Sequence, residues 1–101
     1  MVVVIFEFEP DETMKGRYFE LAETLWGEVQ QIRGFQSVER FESIHSQNHF
    51  VSISTWDDMD AVQRWKEHLQ HAAAQEEAKT SNIFNHYRIR VAEVVRDYGS
   101  S

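Results

Sequence analysis

The chain has 101 residues, a net charge of −7 at neutral pH and no cysteine. This length predicts one domain over residues 1–101, and the lack of cysteine excludes both a disulfide framework and a thiolate nucleophile. The negative charge would repel a phosphate backbone, so we expect no nucleic-acid partner.

The apolar runs of the chain are short. None approaches the ~20 residues that cross a bilayer, so we expect no membrane partner. The apolar start at residues 1–6 has no basic region and is followed at once by Glu7 and Glu9. It therefore predicts a first strand rather than a signal peptide, and the expected location is cytoplasmic.

The first half of the chain predicts a strand and a helix. Residues 2–9 read as a strand whose first half is apolar on both faces, which is typical of a strand covered on both sides. Pro10 and the acidic residues after it open a helix of about 18 residues. Gly34 is placed as the C-cap of that helix. The apolar stripe of the helix consists of Tyr18, Leu21, Ala22, Leu25, Val29 and Ile32.

The second half predicts a hairpin, a helix and a last strand. Strands over residues 35–44 and 49–56 are joined by a polar turn. Asp58 is suited to cap a helix over residues 58–78, and the apolar stripe of that helix places Trp65 near its centre, so Trp65 should be buried. The last strand is expected over residues 85–98.

The resulting order is β-α-β-β-α-β, an α+β ferredoxin-like split unit. It predicts a four-stranded antiparallel sheet with both helices on one face. Every strand carries apolar residues on both sides, so the second face of the sheet is also partly apolar. Such a face marks an interface, and the simplest closure is a two-fold homodimer with sheet packed against sheet.

The stretch from residue 52 to residue 75 also carries a family resemblance. It reads Ser-x-Ser-x-Trp, then an acidic turn, Ala-Val-x-x-Trp and His-x-x-Ala-Gln. With Gly34-Phe35, Glu39-Arg40-Phe41 and the runs at 84–92 and 94–98, it resembles the antibiotic biosynthesis monooxygenase (ABM) superfamily. The resemblance implies the dimeric α+β barrel of that superfamily. The resemblance is specific for the fold but weak for the reaction and the substrate, because members of the superfamily differ widely in function.

The second predicted helix holds the most informative group of polar and aromatic residues. Trp65 lies on the apolar stripe, His68 and Gln75 lie at its edge, and His71 lies on the far side of an uninterrupted helix. One interpretation is that Trp65, with His68 or Gln75, lines a pocket between helix and sheet. The other is that Trp65 is a core residue and that both histidines are solvated.

The cofactor-independent oxygenase branch of the superfamily implies an aromatic-lined pocket with a base that deprotonates a polyphenol. Histidine suits the role of base, because its ordinary pKa lies near neutral pH. Candidate bases are His68, His71 and Glu7. Candidate walls are Trp26, Trp56, Trp65, Tyr18, Phe6, Phe50 and Tyr87.

The haem-degrading branch implies a strand-one Asn, a helix-two Trp and a His ten residues after that Trp. Trp65 matches the Trp, but Gln75 stands ten residues later, and the first strand offers Phe6, Glu7 and Phe8. Haem is therefore an alternative rather than the expected cofactor, and it would need His68 or His71 as the iron ligand from a shifted position. His68 and His71 could form half of a metal site, but no nearby carboxylate completes it, so we expect no metal.

We therefore expect a small monooxygenase that oxidises an aromatic or polyphenolic molecule with O2, without a bound cofactor and as a homodimer. The predicted catalytic residues are His71 and His68. The predicted substrate-binding residues are Trp65, Gln75, Trp26, Phe6 and Glu7. The alternatives are a non-catalytic ligand-binding or stress-related dimer on the same fold, and a haem-binding or haem-degrading relative.

Overall fold

The structure is a computed structural model that describes the backbone of residues 1–75 and 83–100 and the side chains of residues 1–69 and 83–100. The predicted loop at 79–82 and the predicted end of the second helix lie outside the described residues. The element order confirms the β-α-β-β-α-β prediction. The elements are β1 (Val2–Pro10), α1 (Lys15–Val29), β2 (Phe35–Glu42), β3 (Phe50–Trp56), α2 (Met59–Gln75) and β4 (Phe84–Glu93).

The four strands form one antiparallel sheet in the order β2-β3-β1-β4. In β1, Ile5 lies opposite Ile53 on one side and Arg90 on the other. Directly opposed residues share a face, so the register divides the sheet into two sets of side chains. The helix face contains Val2, Val4, Phe6 and Phe8 of β1, and the open face contains Val3, Ile5, Glu7 and Glu9.

Both helices cover the helix face, as predicted, and the core there has two parts. The first buried cluster joins Phe8, Tyr18 and Ile83, and the second joins Val29, Trp56 and Ala61. Because Tyr18 and Val29 lie near opposite ends of α1, that helix contributes a buried residue to each cluster. The residues that the structure describes include no buried polar or charged residue.

Trp65 is less buried than its place on the helical stripe predicts. Trp65 is half-buried at the margin of the second cluster, whereas Trp56 is fully buried. The centre of the α2 contact is occupied by Ala61, which is also fully buried. Gly34 lies so close to Ala61 that a Cβ added to Gly34 would be 2.6 Å from the Ala61 Cβ. Only a small residue fits at this contact, so the larger Trp65 lies beside it.

The largest differences from the predicted boundaries are at three places, and other ends differ by one residue. α1 ends at Val29, so Gly34 is not its C-cap but lies in the connection to β2 with a φ of +93°. β4 ends at Glu93 rather than at residue 98, and the Val94 amide donates to the Met1 carbonyl oxygen. β2 ends at Glu42, two residues before the predicted end.

The predicted N-cap of α2 is confirmed, because the Ala61 amide donates to the Asp58 carboxylate at 2.9 Å. Of the helices that the structure describes, neither has the length and apolar character that a bilayer span requires.

Candidate functional site

The helix face of β4 is apolar, and the residues that the structure describes leave much of it exposed. Tyr87, Ile89 and Val91 point to the same side as the helices, yet they are 61%, 54% and 44% exposed. Phe6, which lies opposite Ile89, meets the Tyr87 ring edge-on with centroids 6.0 Å apart. These four residues, which we call the apolar shelf, form a partly exposed apolar surface on the helix side of the sheet.

A second group lies where α2 passes over the end of α1. The imidazole of His68 is stacked on the Trp65 ring, with centroids 5.3 Å apart and planes inclined by 12°. Its Nε2 lies 3.1 Å from Oε1 of Glu28 on α1. A carboxylate at this distance favours the tautomer that carries its proton on Nε2, which leaves Nδ1 as an acceptor. The His68–Glu28 pair therefore holds an oriented imidazole with one basic nitrogen free of that contact.

The structure separates the other predicted site residues. Trp26 is 48% exposed on α1, and Phe6 belongs to the apolar shelf. Glu7 lies on the open face, where its carboxylate pairs with Arg90 at 3.1 Å. Since neighbouring residues of a strand point to opposite faces, one pocket cannot contain both Phe6 and Glu7. The backbones of His71 and Gln75 lie in α2, and their side chains are outside the described residues.

A cluster that the sequence interpretation did not assemble lies on the open face. The Glu9 carboxylate oxygen Oε2 is 3.4 Å from His49 Nε2 and 3.6 Å from His86 Nε2. The three residues are far apart in sequence, and the register of the sheet brings them together. Only the strand order could have revealed this cluster. Because β1 lies between β3 and β4, the residues opposite Glu9 on those two strands lie on either side of it.

The family comparison matches most of the chain. Residues 1–77 match the family model described as Antibiotic biosynthesis monooxygenase. The chain is 30% identical over 101 residues to Jasmonate monooxygenase ABM of Pyricularia oryzae, and the match covers all of this chain but 46% of that protein. It therefore spans less than half the length of that relative. An uncharacterised Bacillus subtilis protein, YqjZ, is 34% identical over 93 residues, which cover 92% of this chain and 78% of that protein.

Solved structures share the fold at lower sequence identity. A putative antibiotic biosynthesis monooxygenase from Deinococcus radiodurans superposes with a TM-score of 0.78 at 14% identity, covering 100% of this chain and 99% of that one. A single-site mutant of SnoaB, a cofactor-independent oxygenase from Streptomyces nogalater, gives 0.72 at 18% identity, with coverage of 98% and 97%. The family model matches three-quarters of the chain, and the shared fold agrees with that match. The chain therefore belongs to the antibiotic biosynthesis monooxygenase family.

Proposed function

We propose that the protein is a small monooxygenase that oxidises an aromatic or polyphenolic substrate with O2 and needs no bound cofactor. The observation that carries this proposal is the apolar shelf, a half-exposed surface of Phe6, Tyr87, Ile89 and Val91 on the helix side of the sheet. Family membership supports the reaction class, and the resemblance to a cofactor-independent oxygenase supports the lack of a cofactor.

The shelf suits a flat, electron-rich ring system. Ile89 and Val91 offer apolar contact, and the rings of Phe6 and Tyr87 already meet edge to face. A bound aromatic ring would extend this arrangement with the offset or edge-on contacts that aromatic groups prefer. The Tyr87 hydroxyl offers a hydrogen bond to a phenolic or carbonyl oxygen at the margin of the shelf.

The base in this proposal is a histidine of α2. Nδ1 of His68 accepts the proton of the substrate hydroxyl, while Glu28 holds the ring through Nε2 and stabilises the imidazolium that forms. His71 is the second candidate, by resemblance to the family. The substrate anion then transfers an electron to O2 far more readily than the neutral phenol does.

The overall reaction balances without an external reductant. In an anthrone, the reacting methylene carbon loses two hydrogens and gains one oxygen atom, which makes it a carbonyl. The second oxygen atom of O2 leaves as water with those two hydrogens. All electrons that reduce O2 come from the substrate, so the protein's part is to bind the ring, remove a proton and exclude competing water.

The described residues do not fit the haem-degrading arrangement. The helix face of β1 presents Phe6 and Phe8 where that branch has Asn, and Glu7 points to the open face. His68, the histidine of α2 whose side chain is described, already contacts Glu28. We therefore assign no step to haem.

We further propose that the working unit is a homodimer of single domains spanning residues 1–101, packed through the open faces of the two sheets. Val3, Ile5 and Val51 are half-buried there, and Ile53 is 37% exposed. These side chains form an apolar strip that a second copy of the chain would cover.

The shelf is tested by oxygen uptake with a panel of hydroquinones and anthrones. Ile89→Gln places an amide on the shelf and should raise KM or abolish turnover. Ile44→Gln is the matched control, because Ile44 is 96% exposed in the turn after β2. The shelf is excluded as the substrate site if both variants keep the wild-type KM and kcat.

The base is tested in the same assay with His68→Gln, Glu28→Gln and His71→Gln. Loss of a general base should lower kcat by about 10²–10⁴-fold. Glu28→Gln should cost less, because it removes the group that orients the base rather than the base. An active wild type whose three variants all keep full rate would rule out a helix-two base. A wild type that oxidises nothing in the panel would favour a non-catalytic ligand-binding protein.

A further inference from the structure

We propose that Glu9, His49 and His86 form a binding site for a divalent first-row transition-metal ion, with Zn²⁺ as its representative. The site lies on the open face, across the sheet from the apolar shelf. It supplies three protein ligands from three neighbouring parts of the sheet and leaves at least one coordination position for water or an external ligand.

The sheet register brings these three side chains into one row. His86 of β4 is directly opposite Glu9 of β1, and His49 immediately precedes Phe50, which pairs with Phe8. The row therefore crosses β4, β1 and the start of β3 with the carboxylate in the middle. Strands lie about 4.8 Å apart, so each imidazole has to span one strand spacing to reach a shared point above Glu9.

The distances agree with a metal centre. Zn–N and Zn–O bonds are about 2.0–2.2 Å, so two ligands of a tetrahedral zinc ion lie about 3.3–3.6 Å apart. Glu9 Oε2 is 3.4 Å from one Nε2 and 3.6 Å from the other. One ligand atom from each of the three residues falls within 4.8 Å of the other two.

The backbone around the cluster is fixed from two directions. The pairing of β1 with β4 shifts register between Glu9 and Pro10, and such a bulge re-aims the side chains beside it. Asn48, which precedes His49, adopts a left-handed φ of 64°, and its side-chain amide donates to the Pro10 carbonyl at 2.7 Å. This bond ties the turn that carries His49 to the strand end that carries Glu9.

The donor set determines the class of ion. Two imidazoles and one carboxylate suit zinc, copper, nickel, cobalt or ferrous iron better than magnesium or calcium, which prefer oxygen ligands. Glu7, the nearest other carboxylate along β1, already pairs with Arg90. His49 and His86 also line an open groove of about 370 Å³. Their row lies one step beyond the Glu7–Val51 pair, at the margin of the apolar strip through which the dimer is proposed to pack, so an ion there can be reached from solvent.

The test uses the untagged chain, freed of metal with a chelator and titrated with Zn²⁺ by calorimetry. We expect one ion per chain. Losing a second-shell partner typically costs about 10–100-fold in metal affinity, so losing a ligand in His86→Gln or Glu9→Gln should weaken binding at least ~100-fold. His45→Gln is the matched control, because it removes an exposed imidazole of the neighbouring turn and should leave affinity unchanged.

Two further measurements keep the test independent of folding. Circular dichroism establishes that each variant is folded, and His49→Gln replaces any variant that is not. Zn²⁺ should raise the melting temperature of wild type and of His45→Gln but not of the ligand variants, since an ion that joins three parts of the sheet binds only the folded chain. Equal binding by wild type and all ligand variants would overturn the site. The site would also be overturned if no ion bound and the two histidines only formed hydrogen bonds with the Glu9 carboxylate.

Discussion

Tyr18 places a phenol inside the first core cluster. Its side chain is nearly buried, and its ring contacts those of Phe8, Phe19 and Phe84. Burial raises the pKa of the Tyr18 phenol above its ordinary value of 10.0, while a hydrogen bond from Arg40 Nη1 at 3.4 Å and the charge of Arg40 act in the opposite direction. The raised pKa shows that desolvation outweighs the contact with Arg40.

This shift predicts a stability loss in alkali. The folded protein holds the Tyr18 proton more tightly than the unfolded chain, so the stabilisation is complete below pH 10.0 and is lost as the pH rises through the raised pKa. Tyr18→Phe should remove this part of the pH dependence of the unfolding free energy, measured by urea titration. Tyr98→Phe, at a position that is 82% exposed, should leave it intact. An identical alkaline slope in wild type and Tyr18→Phe would contradict the assignment.

Individual side chains show where sequence reasoning stops. The apolar stripe of α2 predicted that Trp65 is buried. Instead Gly34 packs so close to α2 that the small Ala61 is buried there and Trp65 is only partly buried. The Glu9, His49 and His86 cluster could not be predicted from local spacing, because it depends on which strands become neighbours. Periodicity gives the face of an element on which a residue lies, whereas the distance between two elements comes from the packed structure.

At the scale of elements, the contact between the β2 connection and α2 depends on one glycine. Gly34 has a φ of +93°, which L side chains rarely adopt, and its Cα faces the fully buried Ala61. The Arg64 guanidinium donates to the Arg33 carbonyl at 3.0 Å and ties the same connection to α2. The sequence singled out Gly34, but as a helix cap rather than as a point of close approach.

We expect Gly34→Ala to lower the free energy of unfolding by about 2–4 kcal/mol, since it combines left-handed strain with a clash that α2 must move to relieve. Gly27→Ala is the matched control. Gly27 lies in α1 with no neighbouring atom near an added Cβ, so alanine there should stabilise the protein by about 0.5–1 kcal/mol. Denaturant titration of both variants distinguishes the two effects, and equal stabilities would show that the close approach is relaxed in solution.

The order and type of all six elements could be predicted, because hydrophobic period changes sharply at Pro10 and after Trp56. The ends of the elements were less predictable. Val94, Val95 and Tyr98 extend the β-favouring composition of the last strand to residue 98, yet β4 ends at Glu93, where its pairing with β1 ends at Val2. A strand continues only while a neighbour supplies hydrogen bonds, and that limit is set by a different part of the chain.

At the scale of the whole molecule, the open face predicts a dimer. Its apolar strip includes Ile53, and the interface should bury at least ~1,600 Å² in total, the size of a standard specific interface. Sedimentation at micromolar concentration should therefore give twice the mass of 12.0 kDa.

Ile53→Arg should convert this dimer to a monomer, because it places a charge in the centre of the strip. Ile44→Arg, at a position that is 96% exposed in a turn, should remain dimeric. A wild-type monomer would remove the basis for the sheet-to-sheet arrangement, and a dimer that survives Ile53→Arg would place the interface elsewhere.

The antiparallel pairing of β1 with β4 also fixes where the chain enters and leaves the sheet. Val2 lies opposite Glu93, and Val94 bonds to Met1, so both chain directions emerge at one corner of the sheet. Glu9 lies toward the other end of the same strand, ~23 Å from Val2 at the usual rise per strand residue. A fusion partner or an immobilising linker attached before Met1 would therefore begin at the opposite end of β1 from the Glu9, His49 and His86 cluster.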